Sequence, residues 1–118
     1  MKKELQSRLI DFTVQIINIA ESLKQDFTGQ HLSKQIIRSS SSSSLNYGEA
    51  QHAESKNDFV HKMSIVLKEL RETQINLELI HKTDVTTKDD EISRAINECN
   101  ELIAIFYTSV QTARKKKS

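Results

Sequence analysis

Two Glu-x-x-His pairs, Glu49/His52 and Glu78/His81, carry the spacing in this chain closest to metal chemistry. On a helix that spacing puts carboxylate and imidazole on one face. In ferritin-like bundles two such pairs, with a glutamate from each of the other helices, hold two metal ions. Here one pair falls at the end of the second predicted helix and the other at the end of the third, and those helices run in opposite directions. His52 and His81 are then roughly 40 Å apart at about 1.5 Å per residue, whereas bridged metals need ligands within a few ångströms. Glu78 and His81 also fall beside the Leu77/Ile80 stripe, not on it. The expectation is no metal site and no cofactor.

Nucleophilic chemistry fares no better. Cys99 occupies a core heptad position with no histidine within one helical turn, which describes a buried hydrophobe and not an activated thiol. The serines of Ser39–Ser44 stand in no Gly-x-Ser-x-Gly context, and no glycine-rich phosphate loop exists. His31 and His61 read as surface residues, as His52 and His81 do. No catalytic residues are expected, and the chain reads as no enzyme.

The basic residues are the better lead. Seventeen Lys and Arg against sixteen Asp and Glu leave a formal charge of +1, which is not a nucleic-acid binder's balance. The cations are concentrated at the ends, however: Lys2 and Lys3 at one, Arg114, Lys115, Lys116 and Lys117 at the other. An up-down bundle brings these ends together. Arg8 would join them with Lys56 nearby, partly offset by Glu4, Glu49 and Glu54. Such a surface holds RNA or DNA phosphates without reading sequence. Lys34 and Arg38, one turn apart, would add a lateral stripe. The plainer alternatives are frayed, dipole-complementing helix ends and a solvated face.

These residues need elements to hold them. With no proline and only two glycines in 118 residues, the chain lacks the turn chemistry of sandwiches and barrels. One cysteine forms no internal disulfide. The longest apolar stretch, Leu102 to Tyr107, is too short to span a bilayer, and Asp11, Gln15 and Asn18 interrupt any signal-peptide core. A soluble cytoplasmic helical domain is expected, with no membrane partner.

Leu5, Leu9, Phe12, Ile16, Ile19 and Leu23 alternate steps of four and three, as a heptad stripe does. Gly29 is the natural stop after it. Phe59, Met63, Val66, Leu70, Thr73, Leu77 and Ile80 repeat the pattern, behind a capping box at Ser55. So do Ile92, Ile96, Cys99, Leu102, Phe106 and Val110, with Thr87 as N-cap. Between them, Leu32, Ile36, Ile37 and Leu45 to Tyr47 share a buried face only if the six serines are helical. Serine costs up to about 0.5 kcal/mol per residue against alanine, a sum that packing of a smooth ridge offsets. The predicted fold is a single all-α domain over 1–118, an antiparallel up-down-up-down four-helix bundle with helices about 3–26, 30–52, 56–82 and 88–114. Ile10, Ile17, Tyr47, Ile65, Leu79 and Tyr107 exceed what one narrow core needs and would suit an interface, or a wide monomeric core.

The segment Gln35-Ile36-Ile37-Arg38, the serines, then Leu45-Asn46-Tyr47-Gly48-Glu49-Ala50 resembles a small bacterial four-helix-bundle family encoded in intervening sequences of 23S ribosomal RNA genes. The accessory subunit of diversity-generating retroelements is related to that family. Gln35, Ile36, Arg38, Asn46 and Glu49 match its pattern. Gly48 and Ala50 stand where alanine and glycine are usual, and Ile37 replaces a basic residue. Asp58-Phe59 with Met63 to Leu70 and Glu72 resembles the third-helix signature. The resemblance covers almost the whole chain and implies an up-down bundle, a homopentameric ring and very little chemistry. The expected function is a non-enzymatic, self-assembling RNA- or nucleoprotein-associated accessory protein. The alternative is a protein-binding assembly module with no nucleic-acid role.

Overall fold

Ser55 turns the chain into a helix as its position foretells: its Oγ accepts the Asp58 backbone N–H at 3.0 Å from an extended conformation. The Asp58 carboxylate reaches back to the Glu54 N–H, one residue ahead of a strict capping box. The computed structural model describes the backbone of residues 2–116 and the side chains of 4–116. It contains α1 (Lys2–Glu21), α2 (Phe27–Ala50), α3 (Lys56–Lys82) and α4 (Asp89–Lys115), with no strand among the described residues.

Three helix ends depart from expectation. α1 stops at Glu21, well short of residue 26, because the following segment is tied elsewhere: the Lys24 N–H donates to the Val85 carbonyl in the α3–α4 connection. Leu23 stays on the stripe and in the core, although it lies beyond the helix. Gly29 is therefore not a stop. It sits in the first turn of α2, where the Asp26 side chain accepts its N–H at 2.8 Å. A Cβ there would lie 1.9 Å from the Lys24 carbonyl oxygen, so the close return of the loop, not a left-handed φ, requires glycine. Thr87 does not cap α4; Lys88 holds the N-cap position without a side-chain bond, while Asp89, Asp90 and Glu91 complement the positive helix end.

The stripes meet in one core, with Phe12, Ile16, Ile36, Leu70, Ile92, Leu102 and Phe106 among the residues sealed from solvent. The serine tract is helical throughout, and Ser39, Ser40 and Ser43 are fully buried. On one side Thr13 Oγ1 donates to the Ser40 carbonyl and bonds Ser44 Oγ; on the other Ser39 Oγ meets Thr73 Oγ1 at 2.8 Å. Small hydroxyl side chains thus let α2 approach both α1 and α3 while leaving their polar atoms paired. Leu45 does not share this buried face: it is 67% exposed. Tyr47, expected as a flanking residue, is instead buried and stands edge-on to Phe106, with ring centroids 5.2 Å apart.

Contacts between neighbours run in opposite senses. Ser39 meets Thr73 while Glu49 meets Lys62 across α2 and α3; across α3 and α4, Gln74 meets Asn100 while Ser64 meets Arg114. The result is an antiparallel bundle measuring 50 × 21 × 21 Å.

Candidate nucleic-acid interface

One pole gathers four helix ends. Leu5 of α1, Gln51 just after α2, Lys56 and Phe59 of α3, and Ala113 with Lys116 beyond them line a single cavity of about 560 Å³. The start of α1 and the end of α4 therefore lie at the same end of the bundle, with Lys56 and Lys116 in the cavity lining, while Arg114 lies instead in the α3–α4 groove and donates to Ser64 Oγ at 3.4 Å. The side chains of Lys2 and Lys3, and all of Lys117, lie outside the described residues, although the backbone of Lys2 and Lys3 opens α1 at this pole. Glu49 is engaged by Lys62, whose ammonium is held above its ordinary pKa chiefly by that hydrogen bond. Asp58 caps α3. Glu4 and Glu54 remain exposed at the pole.

Two candidate phosphate ligands are engaged within the fold. Arg8 donates from Nε and Nη2 to the two Glu98 oxygens at 2.7 and 2.8 Å and from Nη2 to Glu101 at 2.8 Å, bracing α1 to α4. The hydrogen bond to Glu98 raises its pKa further. Arg38 joins Glu69 and Glu72 across the α2–α3 seam, and Glu69 chiefly raises its pKa. Glu69 is 5% exposed and also accepts from Ser42 Oγ at 3.2 Å. Truncating Arg38 would strand that carboxylate. Lys34 is exposed on the flank of α2, away from the pole. The partner carboxylates lie 31 to 93 positions away in sequence, so local spacing carries no signal for them.

Glu49 and His52 lie at the pole, while Glu78 and His81 lie at the opposite end of α3. Cys99 is buried, its Sγ–H donating to the Leu70 carbonyl at 3.3 Å, and burial pushes the thiol up to about 12. Because the raised pKa favours the neutral thiol, Cys99 is expected to resist a water-soluble disulfide reagent at pH 8 and react fully in denaturant. Stoichiometric labelling of the native protein within minutes would contradict this. Burial also raises the Tyr47 phenol, with neighbouring Gln51 acting in the other direction.

No helix among the described residues is long and apolar enough to cross a membrane. No curated protein matches the chain. Among solved structures, a protein from Bacteroides thetaiotaomicron described as of unknown function, from the S23 ribosomal protein family, superimposes with a TM-score of 0.81 at 31% identity, covering 90% of this chain and 97% of its own. Residues 2–108 match the family described as 23S rRNA-intervening sequence protein. With four helices, a buried serine tract and that match over nearly its whole length, the chain belongs to the 23S rRNA-intervening sequence protein family.

Proposed function

We propose that the protein is a non-enzymatic, cytoplasmic, self-assembling bundle that holds RNA by its phosphates at the pole where the start of α1 and the end of α4 meet. The observation that supports this reading is the convergence of four helix ends on one cavity whose lining includes Lys56 and Lys116, in a chain with a net charge of only +1. The family's tie to 23S ribosomal RNA genes makes RNA the polyanion to try first.

Self-association multiplies this charge. Ile10, Val14 and Leu45 are 46%, 50% and 67% exposed on the outer side of α1 and α2; Ile75, Leu79 and Tyr107 are comparably exposed on α3 and α4. Head-to-tail contacts between two different apolar surfaces generate a ring where the rotation closes. Five copies pointing one way would give a strongly basic face. Native mass spectrometry is expected to show a particle of five times 13.5 kDa. Replacing Arg114 through Lys117 with glutamine should weaken single-stranded RNA binding and flatten its logarithmic salt dependence by about 0.7 for each phosphate no longer neutralised. Unchanged affinity and slope across the titration would overturn the basic-pole reading.

A further inference from the structure

The apolar stripes do not close at the basic pole. Leu5 and Phe59, the first members of their stripes, and Ala113, the last apolar residue of α4, are only half-buried. Together with the buried Tyr47 and Met63 they make the wall of the cavity there mainly apolar. Its volume of about 560 Å³ falls within the range of about 300–1,000 Å³ typical of small-molecule sites. The amide in its lining offers a ligand nothing: the Gln51 Nε2 is shut away from solvent and set against the Tyr47 phenol. The charge in the lining has one sign. Lys56 and Lys116 belong to it and no carboxylate does, while the ion-paired lysines among the described residues are Lys24, Lys62 and Lys88.

An apolar wall beside two unpaired cations matches one class of small molecule. A bare phosphate would leave the wall wet, an uncharged hydrocarbon would leave both lysines unused, and a nucleobase would find no free donor for its edge. We infer that this cavity takes a single-chain amphiphile with an anionic head, its hydrocarbon tail against Leu5, Phe59 and Met63 and its carboxylate at Lys56 and Lys116. The tail acts through area, each methylene removed from water raising affinity about fourfold. The head acts through hydrogen bonds from charged donors, which set a carboxylate about tenfold above an uncharged head on the same tail. The inference goes beyond the RNA reading and does not depend on it, since it needs the cavity and its two lysines but no bound strand.

The test is isothermal titration calorimetry of the full-length protein with hexanoate, octanoate and 1-octanol, all below the concentrations at which they aggregate. Wild type is expected to bind one octanoate per protomer, with a negative heat-capacity change. Octanoate should bind about fourfold more tightly per added methylene than hexanoate, and about tenfold more tightly than 1-octanol. Ala113→Phe fills the cavity from its wall and should abolish binding. The double variant Lys56→Gln with Lys116→Gln should keep the dependence on tail length and lose the preference for octanoate over 1-octanol. Circular dichroism checks the fold of each variant, and the double variant, altered only in two lysines, keeps the test open if Ala113→Phe does not fold. No saturable octanoate binding to wild type overturns the proposal, as does binding undiminished in a folded Ala113→Phe. Equal affinity of wild type for octanoate and 1-octanol removes the lysines from the site and overturns it too. Binding that emerges only when the particle is diluted into protomers means that a second copy fills the cavity, and it also overturns the proposal.

Discussion

Phe106→Ala is expected to destabilise the fold by about 4 kcal/mol, within the usual range for removing a buried phenylalanine. The ring is fully buried near the middle of α4's apolar stripe, so truncation leaves a void that rigid helices on either side cannot close. It also removes the edge-to-face contact with Tyr47, worth about 0.5–1.5 kcal/mol beyond area burial. The neighbouring Tyr107→Ala is the control. That residue is 48% exposed, and away from a partner copy its loss should cost under about 1 kcal/mol. Urea unfolding at fixed protomer concentration reads both, since association would otherwise shift the midpoint. Equal losses for the two variants would mean that α4 is not seated as described.

What the sequence made legible divides along range. The stripes through Phe12, Leu70 and Phe106 depend on residues three and four apart, and periodicity within one helix reveals them directly. Ser55 as a cap is equally local. The end of α1 is harder, because Leu23 continues the stripe after the helix has stopped; nothing nearby in sequence reveals that Lys24 bonds to Val85. Asp26-Phe27-Thr28-Gly29 holds the missing signal, an Asx cap whose third successor is glycine. Gly29 invites reading as a terminator, because a glycine needed for close approach and one needed for a left-handed turn look alike in sequence. The arginines show the same limit for function. Arg8 and Arg38 resemble free cations until the fold brings Glu98, Glu101, Glu69 and Glu72 against them. The polar cavity is assembled from four helix ends, so no segment alone announces it.

The serine tract gives the second large expected effect. Ser40→Leu should destabilise the bundle by about 3 kcal/mol, the upper end of ordinary overpacking costs. Ser40 is fully buried; its hydroxyl bonds back to the Ile36 carbonyl at 2.8 Å, and its own carbonyl accepts from Thr13 and Ser43. A branched side chain there must push α1 away from α2 or leave its rotamer well, and either breaks the Thr13–Ser44 bond beside it. Ser41, half-buried one position on, has no such role, so Ser41→Ala should be neutral or stabilising by up to about 0.5 kcal/mol through helix propensity. The contrast separates two accounts of six consecutive serines. A passive polar tether would tolerate leucine at either position alike, and matching thermal midpoints for Ser40→Leu and Ser41→Leu would establish that account. A ridge on which two helices close requires a sharp positional difference, and with it the separation of α1 from α2 that sets where Leu5 meets the other helix ends at the basic pole.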